Sequence, residues 1–246
     1  MQHRVFITGG TGYIGRRLIP VLIERGHGVT ALVRDGSETK IKSHCEILVG
    51  NALDSSSYRA QLEKYDTLIH LVGVPHPSPA KAREFVAVDL RSAQEAIKAA
   101  SLAGVSHFIY VSVAQPAPVM KAYIDVRGEC EASLRASGLN ATILRPWYVL
   151  GPGHRWPLVL KPLYRAAELI PFMRESAQRL GLVTIDQMIQ ALAAATETPA
   201  LGIRTLDVPE IRSFSHQMRS EHEPHRRLID PLLSSSQEGT TKEGAV

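Results

Sequence analysis

The chain has 246 residues, of which 44% are hydrophobic and 21% charged, and its formal net charge is +4. That length and balance suit one globular domain with a small second lobe, and they exclude a disordered or collagen-like chain. The basic residues are scattered, and the densest run, His225-Arg226-Arg227, is too short for a nucleic-acid surface, so no nucleic-acid partner is expected.

Strand and helix signals alternate from the first residues. Arg4 to Thr8 is a short apolar run stopped by glycines and reads as a buried strand. A helix is expected from Gly12 to Arg25, with Ile14, Leu18, Val21 and Leu22 on one face and Gly26 as its C-terminal cap. Strands follow at Gly28 to Val33, Glu46 to Val49 and Thr67 to Val72. A long helix, Ala80 to Ala103, precedes a strand at His107 to Val111, a helix at Tyr123 to Ser137 and a strand at Ala141 to Leu144. This rhythm predicts an α/β fold with a doubly wound parallel sheet over residues 1–150, the Rossmann arrangement. Strands buried on both faces explain why the runs are apolar rather than alternating.

After Pro146 the rhythm breaks. Residues 151–212 are expected to form a small lobe on the substrate side that completes the same domain, with one helix at Asp186 to Thr196 and one strand at Ile203 to Val208. Residues 213–246 are polar and aperiodic and read as a flexible tail. No uncharged apolar window reaches the roughly 18 residues of a membrane span; Trp156 to Met173 is interrupted by Lys161, Arg165 and Glu168. No leader precedes the first strand, and Cys45 and Cys130 lie far apart, so a cytoplasmic chain with reduced thiols is expected. No cluster has metal-ligand spacing, and no metal is expected.

The turn Gly9-Gly10-Thr11-Gly12-Tyr13-Ile14-Gly15 joins the first strand to the first helix. Gly9 permits the tight turn, Gly12 lets a phosphate approach the backbone, and Gly15 lets helix and strand pack closely. The helix then points its amides and the positive end of its dipole at a pyrophosphate. Such a turn between strand and helix predicts a dinucleotide. At the end of the second strand stands Arg34, where an NAD-selective site carries an acid. A guanidinium suits a 2′-phosphate, so NADP(H) is the preferred cofactor. Asp35, one residue on, keeps NAD(H) open.

These features resemble the short-chain dehydrogenase/reductase superfamily in its extended and atypical branches, the epimerase-like and NmrA-like proteins. The resemblance rests on Thr8 to Gly15, Gly50-Asn51-Ala52-Leu53-Asp54, His70-Leu71-Val72-Gly73, Phe108-Ile109-Tyr110-Val111-Ser112, Leu144-Arg145-Pro146 and Gly151-Pro152-Gly153. It implies that Thr11, Tyr13 and Ile14 join the three glycines in the phosphate cradle. It further implies that Asn51 and Ala52 border the adenine, that Leu71, Val72 and Gly73 run behind the ribose and pyrophosphate, and that Pro146 lies beside the nicotinamide. Asp89 falls near a helix position the family often fills with Asn, and reads as structural.

The resemblance also implies a catalytic Tyr with Lys four residues on and a Ser orienting the substrate. Here the pair is Tyr123 and Arg127, which share a helix face. Arg keeps the charge but not the shape of an ammonium. Ser112 is the serine candidate, although alignment on Phe108-Ile109-Tyr110 places Val113 at the family position. His70 reads as a core histidine, His76 as a loop residue at the site mouth, and Trp147, Tyr148, Trp156 and Tyr164 as either pocket lining or lobe core. The reading is an NADP(H)-preferring oxidoreductase acting on a small, apolar carbonyl or alcohol. The alternative is a redox sensor or structural subunit that binds the cofactor without turnover, akin to the accessory subunit of respiratory complex I. A nucleotide-sugar epimerase or dehydratase is disfavoured by the small C-terminal lobe.

Overall fold

The computed structural model describes residues 1–117, 119–153 and 181–214. Its main sheet has seven parallel strands in the order β3-β2-β1-β4-β5-β6-β9: β1 Arg4–Thr8, β2 Gly28–Val33, β3 Glu46–Val49, β4 Thr67–His70, β5 His107–Val111, β6 Ala141–Leu144 and β9 Ile203–Leu206. Strand order reverses between β1 and β4, which is where an open α/β sheet leaves a crevice at its carboxyl edge.

Side chains alternate between two cores. Val5 and Ile7 of β1, Ile69 of β4 and Ile109 of β5 enter one cluster with Leu18, Ile19 and Leu22 of α1 (Gly15–Glu24). Phe6, Leu68, Phe108 and Tyr110 enter the opposite cluster with Ala93, Ala96 and Ile97 of α3 (Arg91–Leu102) and Leu134 of α4 (Lys121–Ala136). Alternate residues of one strand therefore feed both layers, the signature of double winding.

Several boundaries differ from those the sequence predicts. The first helix begins at Gly15 rather than Gly12, so the residues between are free to form the turn itself. β4 stops at His70, and Leu71 to Gly73 leave the sheet as loop. The long helix is composite, with a 3-10 turn Pro79–Lys81, a single α-turn α2 (Ala82–Glu84), a π-helical segment Phe85–Leu90 and then α3. Helix α4 starts two residues before Tyr123.

Beyond residue 150, β9 pairs with β6 as the sheet's edge, and α5 (Ile185–Glu197) packs on α1. A capping box sets the start of α5: Gln187 N donates to Thr184 Oγ1 at 3.2 Å, and Thr184 N to Gln187 Oε1 at 2.9 Å. A second, two-stranded parallel sheet, absent from the sequence reading, joins β7 (Tyr148–Leu150) to β8 (Leu182–Thr184). The last described turn, 208–214, is helical and runs two residues into the expected tail. The rest of 213–246 lies outside the described residues, as do Trp156 and Tyr164.

The third glycine of the turn has no room for a side chain. A Cβ on Gly15 would stand 2.6 Å from Gly10 Cα and O and 2.7 Å from Gly9 O, all backbone atoms that cannot swing away. Gly15→Ala is expected to lower the unfolding free energy by about 1–3 kcal/mol, read as a fall in the urea midpoint. An unchanged midpoint would refute this packing.

Candidate functional site

The crevice at the carboxyl edge is floored by the glycine turn. Gly9 has φ +77°, and a Cβ there would meet Leu71 C at 2.7 Å and Val72 N at 2.8 Å. Two backbones thus touch where β1 and β4 part, and Leu71 N continues the ladder by donating to Thr8 O at 3.0 Å. Helix α1 has no side-chain cap and no acid in its first turn. The amides of Ile14 and Gly15 donate to no group among the described residues. That leaves an uncompensated positive helix terminus facing the crevice, the donor set a pyrophosphate needs.

The crevice has two compartments that share Leu71 and Val72 as a dividing wall. The larger contains Gly9, Thr11, Gly12, Arg34, Asn51, Ala52 and Gly73 among its lining. The smaller contains Ile14, Ser112, Tyr123, Arg127 and Pro146. The two residues of the predicted set that line neither are Tyr13 and Gly15. Gly15 is spent on packing, and the Tyr13 ring lies beneath the Arg17 guanidinium, 4.0 Å from centroid to Cζ.

In the larger compartment, just past the end of β2, Arg34 is exposed, and its side chain has no ionic or hydrogen-bond partner among the described residues. Lys40 joins it there. A turn closed by Ser37 N on Arg34 O at 2.9 Å folds the chain back, and Lys40 Nζ reaches Ser37 Oγ at 3.4 Å. Asp35 is exposed and does not line the compartment. The sequence reading missed Lys40 because no periodic signal marks the 3-10 turn Glu38–Lys40 that carries it. Asn51 uses its side-chain carbonyl to accept from Leu53 N at 3.0 Å, which directs its amide nitrogen away from that bond.

In the smaller compartment, Tyr123 packs its ring on Phe85 with centroids 5.0 Å apart. Its hydroxyl has no hydrogen-bond partner among the described residues. Arg127 stands 5.1 Å from the centroid of that ring but makes its bonds elsewhere. Nη2 donates to Asp89 Oδ1 at 2.6 Å; Nη1 donates to Tyr110 Oη at 3.1 Å and Val111 O at 2.9 Å. The pair is buried, with Arg127 side-chain exposure 8% and Asp89 0%. Burial opposes the guanidinium's charge, but Tyr110, Tyr123 and Asp89 outweigh it and hold its pKa well above the ordinary value. Asp89 Oδ2 accepts from Val74 N at 3.0 Å, so the pair also pins the loop behind the cofactor crevice.

Ser112 is nearly buried, and its hydroxyl donates to Glu131 Oε1 at 2.6 Å. Val113 is its neighbour in the compartment wall. Neither Asp89 nor Glu131 could be found as a site partner from the sequence, since nothing local marks a buried carboxylate.

The family model described as NAD(P)H-binding matches residues 9–155. The chain belongs to the NAD(P)H-binding family. Ceramide reductase of Caulobacter vibrioides is 28% identical over 204 residues, covering 81% of this chain and 62% of that protein. Photosystem II assembly factor Ycf39 of Synechocystis is 28% identical over 225 residues, covering 87% and 67%. The chain thus spans about three-fifths of the first of these relatives. Among solved structures, the Bordetella bronchiseptica enzyme WbmH in complex with NAD+ superposes with a TM-score of 0.63 at 19% identity, covering 84% of this chain and 75% of that one. This likeness shows a shared Rossmann-type fold. Among the described residues, no helix is long and apolar enough to cross a membrane.

His70 lies under this site as a member of the core. Its Nδ1 is 2.8 Å from Thr8 Oγ1 and its Nε2 3.3 Å from Ser92 Oγ. Burial, with a smaller push from Arg127, lowers its pKa to about 3; His107, buried at the start of β5, falls to about 4. Both are neutral in the folded protein, while the unfolded chain takes up protons near pH 6.5. Their contribution to stability is complete above pH 6.5 and is lost as pH falls toward the folded values. Unfolding free energy is expected to drop between pH 7.5 and 4.5, and His70→Gln should reduce that drop by about 3 kcal/mol. Urea titrations of both proteins at the two pH values test this, and equal drops would refute it.

Proposed function

We propose that the chain binds NADP(H) across both compartments and reduces a small, apolar carbonyl compound in the inner one. The observation that carries the cofactor choice is the pair of cations, Arg34 and Lys40, at the ribose end of a crevice that Asp35 does not line. Two cations there neutralise a 2′-phosphate, whereas a 2′-hydroxyl calls for an acceptor. Gly9, Thr11, Gly12 and Ile14 form the pyrophosphate cradle, with Gly15 packed beneath it and Tyr13 turned to Arg17; Asn51 and Ala52 flank the adenine, and Leu71, Val72 and Gly73 back the ribose and pyrophosphate. Pro146 borders the nicotinamide.

When bound in this cradle, a reduced nicotinamide cofactor would supply the hydride for a carbonyl carbon. Tyr123, whose hydroxyl has no hydrogen-bond partner among the described residues, gives its proton to the carbonyl oxygen and regains one from solvent. Arg127 is a fixed buried cation beside that ring, held by Asp89 and Tyr110. Val111, Val113, Trp147 and Val149 supply apolar walls. A second reading, a cofactor held without turnover, is favoured by the commitment of both expected helpers of Tyr123: Arg127 to Asp89, and Ser112 to Glu131.

A thermal shift titration separates the cofactors, because a ligand that binds the native state raises its stability. NADPH is expected to bind more tightly than NADH. The double substitution Arg34→Glu, Lys40→Glu should weaken NADPH by about a hundredfold or more, from two lost charge-assisted contacts, and NADH by far less. Equal losses would refute the 2′-phosphate assignment.

Tyr123→Phe decides the chemistry. With NADPH and a panel of small ketones and aldehydes, the variant is expected to lose about 10²–10⁴-fold in kcat while its NADPH shift is retained. Equal rates in the two proteins would remove Tyr123 from the reaction. No turnover by the parent protein would favour the second reading.

A further inference from the structure

Ser112 sits in the wall of the inner compartment, and its single proton is already committed. Glu131, whose side chain is 4% exposed, gathers donors from three residues. On Oε1 it accepts from Ser112 Oγ at 2.6 Å, Gln115 Nε2 at 2.8 Å and Arg145 Nε at 2.9 Å, and on Oε2 from Arg145 Nη2. Arg135 lies 3.7 Å from the same Oε2. The bond to Glu131 is the main reason the Arg145 pKa stands above its ordinary value. A carboxylate ringed by guanidinium and amide N–H groups has only lone pairs to offer, so the proton in the Ser112–Glu131 bond belongs to Ser112.

A serine hydroxyl has one proton and two lone pairs. With the proton aimed at Glu131, Ser112 Oγ can present only lone pairs to the compartment. It cannot donate to a substrate carbonyl there, and a carbonyl oxygen placed against it would meet lone pair with lone pair. Val111, Val113, Pro146 and Val149 are apolar, so an acceptor in this compartment must look to Tyr123, Arg127 or Trp147 for a donor and not to Ser112.

We infer that the inner compartment selects a ligand bearing an O–H or N–H donor that meets Ser112 Oγ, so that the substrate is a small carbonyl compound with a hydroxyl or N–H beside its carbonyl. This rests on the reading above that the reacting carbonyl lies by Tyr123. Tyr123 serves the carbonyl oxygen as donor, and Ser112 serves the neighbouring group as acceptor. Ser112 is then a specificity residue, and Glu131 is the positioning residue that fixes which way its proton points. An analogue without the donor leaves a buried acceptor unpaired, which weakens binding by about tenfold or more.

The ligands 2-hydroxyacetophenone and propiophenone differ only by O–H in place of CH₃ next to the carbonyl. Their dissociation constants are measured on the full chain with saturating NADP+ by saturation-transfer NMR titration. The hydroxy ketone is expected to bind about tenfold more tightly, and Ser112→Ala should bring the two constants within about twofold of each other. Equal constants in the parent protein would overturn the inference. So would a preference that survives Ser112→Ala, or a failure of both ligands to bind. Should Ser112→Ala not fold, the parent ratio decides alone. A thermal shift with NADPH alone runs beside it: a retained shift with equal constants removes the role of Ser112 and leaves the cofactor reading standing.

Discussion

Backbone contact between the glycine turn and the loop after β4 is the constraint on which the site depends. Gly9 lies against Leu71 and Val72, and Gly15 lies against Gly9 and Gly10, at separations no Cβ tolerates. The first contact sets the floor of the crevice where strand order reverses. The second sets where α1 begins and hence where its unbonded amides point. Leu71 and Val72 then serve both compartments, so a cofactor in the outer one is held against the same wall that bounds the inner one.

Helix α4 is tied to the end of β5 by two buried polar groups one turn apart. Arg127 reaches Tyr110 and Val111, and Glu131 reaches Ser112. Both are desolvated, and each has multiple partners. Arg127 is neutralised by Asp89, and Glu131 by Arg145. Breaking such a pair by removing one partner costs about 3–5 kcal/mol, mostly from the charge left behind. Arg127, four residues after Tyr123, is thus part of how a helix docks on a sheet. That docking also positions Val74 through Asp89, so the outer compartment's rear loop and the inner compartment's cation belong to one network.

The fold was legible because parallel strands buried on both faces must be apolar runs, and all seven main strands stand within two residues of where those runs predict them. The glycine turn was legible because steric need leaves glycine few substitutes. Three kinds of feature were not. The start of α1 moved from Gly12 to Gly15 because tight turns and first helical turns share the same residues. Strands β7 and β8 are three residues each and pair across a long separation, which periodicity cannot reveal. Lys40 comes to the same compartment as Arg34 only through the turn at Ser37; Asp89 read as structural but without its partner, and Glu131, the partner of Ser112, is a carboxylate that a sequence would place on the surface.

Arg in place of Lys changes more than the strength of a charge. A lysine ammonium is a rotatable point donor on a flexible stem and can serve two acceptors in turn. The guanidinium is a planar fork whose bonds point in fixed directions. In this chain the two Nη atoms are filled by Asp89, Tyr110 and Val111, and only Nε lacks a partner among the described residues. Arg127 therefore acts on Tyr123 through its field across the ring face and not by a hydrogen bond to the hydroxyl. Ser112 likewise has its proton held by Glu131. In both cases the partner is a buried carboxylate. The smaller compartment thus sets a phenol with an unused proton opposite a serine oxygen whose own proton is turned away.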